Sequence, residues 1–419
     1  MQSNKFLRLF FLFSMPLFFW ACDNNEMEDD LNNEFEFQYV VNYEFLDSIS
    51  SDEISERFGE NNLASGFINF DITAHRITYM TENYDGTEVE ASGLVLIPIV
   101  SGSSKLTSFQ HSTLAKDPNP QIDQENRAPS YLPVDNDEIH LSASLFASNG
   151  YMISAPDYIG YGSTKEMFHP YEHAQTTATT SYDMLVAARE YAEFLDVKIK
   201  TDSDTEEEEL YLLGYSQGGN STMALHKYIE ENHSDKFTIT RSAMGAGAYH
   251  KSAVGDYIFN YEGELGFSIS LYLWVMDTYD RVYLQRGMDY YLKPEYANEV
   301  KTKGYFSLVE INTNPQEIFT EEFIAEINDP NSPFSLALAD NDIHNWRAEA
   351  PIKLYHHEND QLVPYFNSVD AFNNMTEKGS TEVLFETYTF TNVSPENIHG
   401  SAGASFFADV ISLYFRSGI

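Results

Sequence analysis

The 419-residue chain holds a single cysteine, Cys22, so no disulfide can form within it and no cysteine-rich metal site can be built. Packing has to supply the stability. Basic residues are scarce as well: 24 Lys and Arg stand against 65 Asp and Glu, a formal net charge of −41. Charge of that sign and size argues against nucleic acid and other polyanionic partners. No glycine-rich phosphate motif occurs, and neither a cofactor nor a metal is expected. The acidic stretch 202–209 lacks the spacing of a calcium loop and reads as a solvated turn.

What the chain does have is the run Gly214-Tyr215-Ser216-Gln217-Gly218-Gly219. Residues 209–213 before it form a short apolar segment of buried-strand type. Residues 220–230 after it read as a helix with Met223, Leu225, Tyr228 and Ile229 on its inner face. Ser216 therefore falls at a strand-to-helix turn, where small neighbours let its hydroxyl project as a nucleophile. The backbone N–H of Gln217, at the helix start, points to where negative charge develops on an attacked carbonyl.

A serine nucleophile needs a base, and the base needs an orienting acid. Residues 352–357 read as a strand and Glu358-Asn359-Asp360 as the turn after it, which makes Asp360 the candidate acid, with Glu358 and Asp370 as alternatives. Residues 383–390 alternate like a further strand. After them Asn397-Ile398-His399-Gly400 precedes an amphipathic segment, so His399 is the candidate base. His250, His344, His356 and His357 are the other histidines weighed for that role.

These motifs, together with the segment Ala155-Pro156-Asp157-Tyr158-Ile159-Gly160-Tyr161-Gly162, resemble the α/β-hydrolase superfamily, and within it the secretory lipase-like serine esterases. The resemblance spans about residues 65–419. It implies a mostly parallel central sheet flanked by helices, no cofactor, and a triad of Ser216, Asp360 and His399. It also implies an oxyanion loop at Phe109-Gln110-His111-Ser112-Thr113, where Ser112 replaces the family's glycine, so Ser112 or Thr113 would join Gln217 as donor. Tyr158, Tyr215 and Trp274 are the candidate pocket residues. The substrate would be a small-molecule or lipid-like carboxylic ester. A serine peptidase, a carbohydrate acetyl or feruloyl esterase and a non-catalytic binding protein on the same fold are the alternatives.

Strand candidates at 94–100, 106–111, 151–155, 210–215, 237–244 and 352–357 alternate with helical segments, as an α/β sheet requires. An antiparallel pair at 67–80 and 88–98 is expected at the edge. Between the sixth and seventh strands of this scheme lie residues 249–350, 102 residues where a crossover needs only a few tens. The division expected is a signal at 1–21, an acidic tether and extension at 22–64, the core at 65–248 and 351–419, and a mainly helical cap at 249–350.

The amino terminus carries Lys5 and Arg8, then an apolar run at 9–20, then Ala21-Cys22. This pattern reads as an export signal and resembles a bacterial lipoprotein signal of the form seen in Bacteroidota. The resemblance implies lipid such as palmitate on Cys22 and attachment to an envelope membrane, the outer membrane and its surface above all. A secreted protein is the alternative.

Overall fold

The computed structural model describes residues 35–59, 63–115 and 127–416. Among them run β1 Val40–Ile49, β2 Ile72–Glu82, β3 Glu88–Pro98, β4 Lys105–Gln110, β5 Tyr151–Pro156, β6 Leu210–Tyr215, β7 Ile239–Gly245, β8 Ile352–His357 and β9 Val383–Tyr388. They form one sheet in the order β1-β2-β3-β5-β4-β6-β7-β8-β9. The contacts from β1 to β3 and from β3 to β5 are antiparallel, and every pairing from β5 through β9 is parallel.

Two-residue alternation decides which face each side chain covers. Leu94, Leu96, Phe109, Tyr211 and Leu213 point into one buried cluster. Val95, Ile97, Leu106, Leu210 and Leu212 point into the opposite one. The first face is closed by α2 (Ser144–Ser148), which continues a wider turn at Glu138–Ala143, and by α13 (Ile398–Asp409), with Phe146, Phe406 and Phe407 buried there. The second is closed by α3 (Ala174–Phe194) and α4 (Gln217–Asn232), through Met184, Leu185, Leu225 and Ile229. Helix α12 (Phe366–Glu377) packs through Ala371 and Met375 beside Met223 of α4. Helices on both faces of a largely parallel sheet are the α/β-hydrolase architecture that the sequence leads one to expect.

Strand β1, followed by α1 (Ser51–Arg57), is one the sequence reading did not assign. It is an edge strand whose Tyr43 and Phe45 stay exposed, so it lacks the buried alternation that marks an inner strand.

Between β7 and β8 the chain builds a helical insertion: α5 (Lys251–Phe259), α6 (Ser268–Tyr279), α7 (Met288–Tyr291), α8 (Pro294–Lys303), α9 (Pro315–Ile318), α10 (Glu321–Ile327) and α11 (Pro333–Asp340). The starts of its helices are legible in the residues, with Thr320 and Ser332 capping α10 and α11 and Pro at the first turn of α8, α9 and α11. Its apolar residues close on one another: Phe259, Phe319, Phe323 and Phe334 meet edge to face at 5.0–6.0 Å between ring centres. At its base Lys251 pairs with Glu172, both side chains buried.

One expectation is corrected. The expected membrane association finds no spanning element in the fold: among the described residues no helix is long and apolar enough to cross a membrane. Helix α3 has the length, but it carries Asp183, Arg189, Glu190 and Glu193, and its apolar face is spent on the sheet. The expected signal at 1–21 and Cys22 lie outside the described residues.

Candidate functional site

Strand β6 ends at Tyr215 and α4 begins at Gln217, so Ser216 alone turns the chain. Its backbone sits at φ 59°, ψ −122°, a region that side chains with a Cβ enter only at a cost of about 1–3 kcal/mol. The surroundings enforce it: Ser216 N–H donates to the Gly245 carbonyl at 2.8 Å, and its own carbonyl accepts from Asn220 N–H at 3.1 Å. Close approach explains the flanking glycines. A Cβ on Gly214 would lie 2.3 Å from the Gly218 carbonyl oxygen, and one on Gly218 only 2.1 Å from that of Gln110.

His399 stands in the first turn of α13, and Asp360 in the turn after β8. The structure brings all three side chains together: His399 Nε2 lies 2.9 Å from Ser216 Oγ, and His399 Nδ1 lies 2.6 Å from Asp360 Oδ2. An ionised carboxylate only accepts, so the proton of a neutral imidazole belongs on Nδ1 and the Nε2 lone pair faces the serine hydroxyl. Asp360 Oδ1 accepts from the N–H groups of Leu362 and Val363 at 2.9 and 3.1 Å, which fixes the carboxylate plane. Burial works against its charge, but His399 and His356 beside it hold its pKa well below the usual carboxylate range.

The other candidates go elsewhere. Glu358 is exposed. Asp370 bonds His250 Nδ1 at 2.7 Å. His356 is held by Ser368 Oγ and the Val363 carbonyl, at 2.8 and 3.1 Å, with Asp360 Oδ2 3.5 Å away. His357 donates from Nε2 to the Phe390 carbonyl at 2.9 Å, its Nδ1 accepting from Asn359 N–H. His344 packs face to face on His250 at 3.7 Å.

Among the expected oxyanion donors, Ser112 is already engaged: its N–H donates to Glu138 Oε2 at 2.7 Å. Ser112 Oγ lies 2.5 Å from Glu138 Oε1 and 2.9 Å from the Tyr215 carbonyl oxygen. One hydroxyl has one proton, and the Tyr215 carbonyl can only accept. Both contacts are satisfied when Ser112 donates to Tyr215 and a protonated Glu138 donates to Ser112. Burial raises the Glu138 pKa to about 7, which favours that protonated form. Thr113 holds Tyr171 OH through its hydroxyl at 2.7 Å. Gln217 is the first residue of α4, where a helix leaves N–H groups without an intrahelical partner. Its side-chain amide bonds His169 Nε2 at 2.9 Å, and His169 Nδ1 bonds the Ile159 carbonyl at 2.6 Å. Glu138 and His169 carry no signal in the sequence, since each reaches the site from a loop or turn far away along the chain.

The expected pocket residues are buried. Tyr158 packs on His111 at 4.2 Å. Tyr215 lies under the base, its hydroxyl donating to the His399 carbonyl at 2.7 Å. Trp274 stacks on Tyr171 at 4.5 Å inside the insertion's own apolar cluster. Asp157, from the same segment as Tyr158, is fully buried and ties β3 to the 130 loop by accepting from Ser92 Oγ at 2.6 Å and Ser130 N–H at 2.7 Å.

No family model and no curated protein matches the chain. Solved structures do. A hydrolase candidate from Legionella pneumophila is 24% identical, with a TM-score of 0.75 over 91% of this chain and 100% of that one. The rice cell wall degrading esterase LipA from Xanthomonas oryzae is 23% identical, with a TM-score of 0.74 over 90% and 97%. Lipase A of Candida antarctica shares 14% identity at a TM-score of 0.59, over 84% of this chain and 76% of that one. At such identities the likeness speaks for the fold, an α/β-hydrolase fold along nearly the whole described chain.

Proposed function

We propose that this α/β-hydrolase-fold protein is a serine hydrolase that cleaves carboxylic esters through an acyl-enzyme on Ser216. The observation that carries the reading is the bonded series Ser216 Oγ, His399 and Asp360, with contacts of 2.9 and 2.6 Å. In it His399 removes the serine proton as Oγ attacks the ester carbonyl, and Asp360 holds the ring and stabilises the imidazolium. The backbone N–H groups of Gln217 and Thr113 receive the oxyanion, since that of Ser112 is committed to Glu138. His399 then returns the proton to the leaving alcohol, and water, activated by the same base, releases the acid. The insertion, residues 249–350, acts as a cap over the site.

Ser216→Ala tests the reading on a short-chain nitrophenyl ester, with a fluorophosphonate probe as second readout. Turnover should fall at least about 10³-fold and labelling should vanish. Unlabelled wild type would favour a binding protein instead. A carbohydrate ester is a second substrate reading, favoured by the likeness to the cell wall degrading esterase. A panel of acyl esters, acetylated glycans and aminoacyl amides separates it, and a preference for the amides would overturn the ester assignment.

A further inference from the structure

The two ends of the helical insertion meet at a second cluster of chemically capable side chains. His250 caps α5 where the chain leaves the sheet; Asp342 and His344 lie in the return segment before β8; Asp370 belongs to α12. A backbone bond fixes this meeting, Ile343 N–H donating to the Tyr249 carbonyl at 3.0 Å. Asp342 and His344, two residues apart around Ile343, are thereby brought beside His250. One ligand atom from each of His250, Asp342 and His344 lies within 4.8 Å of the others.

The side chains of this cluster also have partners that orient them. A ligating histidine commonly gives its other ring nitrogen to a carboxylate. Here His250 Nδ1 bonds Asp370 Oδ2 at 2.7 Å, which leaves Nε2 as the nitrogen available to a ligand. Asp342 is oriented by Ser252, accepting from its N–H at 3.0 Å and from its hydroxyl at 2.6 Å, with further lone pairs on both oxygens. His344 supplies an independent indication. It is 6% exposed, and its Nδ1 is buried with no hydrogen-bond partner among the described residues, a cost of about 1–3 kcal/mol that a fold normally avoids. The side chains of His250 and Asp370 are 24% and 32% exposed, which gives an ion a way in.

We propose that His250, Asp342 and His344 bind a divalent transition metal of the zinc type, with Asp370 orienting His250. Two imidazoles and a carboxylate match the nitrogen and oxygen preference of that ion. A metal there would clamp the start of the insertion to its end, independently of the ester chemistry at Ser216. The sequence analysis expected no metal for want of a cysteine-rich site or a recognised motif; these donors come from segments about ninety residues apart, as the numbering of His250 and Asp342 shows, with no motif spacing between them.

The test uses the full chain, stripped with a chelator and titrated with Zn²⁺ by calorimetry. About one equivalent should bind and the thermal midpoint should rise. His344→Gln and Asp342→Asn should each abolish the uptake or weaken it at least about 100-fold, and Asp370→Asn should weaken it roughly 10–100-fold. Metal-free variants should hydrolyse ester like the metal-free wild type. Absence of uptake by the wild type would overturn the site, as would unchanged affinity in His344→Gln. If His344→Gln does not fold, Asp370→Asn decides: an unchanged affinity there rejects the assignment.

Discussion

At the scale of the residue, the site is governed by where protons reside. Asp360 is held ionised and fixes the His399 tautomer, so Asp360→Asn, which presents the wrong hydrogen-bonding pattern to Nδ1, should lower kcat about 10⁴-fold with little change in fold. Steady-state kinetics and a circular dichroism spectrum check this together. Glu138 is the opposite case, a carboxyl whose pKa burial raises to about 7. The folded state then holds a proton that the unfolded chain gives up near its ordinary pKa. Stability tied to that proton is complete below the unfolded value, about 4.3. It falls as pH rises through the window up to about 7, and above that the full penalty of up to about 3 kcal/mol applies. Glu138→Gln copies the protonated form, with an amide donor toward Ser112 Oγ and an acceptor for Ser112 N–H. It should flatten the fall in stability between pH 4.5 and 7.5, measured by urea unfolding, and should be more stable than wild type at pH 8. An unchanged pH profile would reject the protonated assignment.

At the scale of the element, the turn from β6 to α4 holds backbone strain and the base of the insertion holds a buried ion pair. The turn tolerates Ser216 at positive φ because Gly214 and Gly218 allow the carbonyls of Gly218 and Gln110 to come close. The base of the insertion is a buried pair, Lys251 with Glu172. Removing one partner of such a pair leaves the other charged and enclosed, so Lys251→Ala should destabilise by about 3–5 kcal/mol. Replacing both by apolar residues of similar size, Lys251→Met with Glu172→Leu, should recover most of that loss. Denaturant unfolding of the single and double variants measures the difference. A double variant no better than the single one would show that the pair contributes more than mutual neutralisation.

Across the whole molecule, the insertion packs its own aromatic cluster while Trp274 reaches toward the site through Tyr171, whose hydroxyl holds Thr113. Trp274 is 2% exposed, so its removal opens a cavity. Trp274→Ala should therefore cost about 3–5 kcal/mol and lower activity on two- to eight-carbon nitrophenyl esters by a common factor. Selective loss on the longer chains, with acetyl ester turnover and thermal midpoint intact, would instead make it an acyl-pocket residue. Each CH₂ buried there would contribute about 0.8 kcal/mol.

The sequence by itself determined the parts of this protein whose signal is local. Gly214 to Gly219 between an apolar strand and a helix located Ser216; strand-end turns located Asp360 and His399; the long interval after β7 revealed the helical insertion. Periodicity also gave the inner strands, since a strand buried on both faces is written as an apolar run. Tertiary structure alone decided what depends on segments meeting across the chain. Glu138 takes the N–H of Ser112, so the expected donor is bound before any substrate arrives. Tyr215 faces His399 rather than open solvent. Strand β1 pairs along the edge that β2 offers, and its alternating Val41, Tyr43 and Phe45 stay exposed rather than marking a buried face. His250, Asp342, His344 and Asp370 share a site only because Ile343 pairs with Tyr249 where the insertion closes. Hydrogen bonds and burial between residues far apart along the chain leave no spacing to read, and the folded chain is the first place they appear.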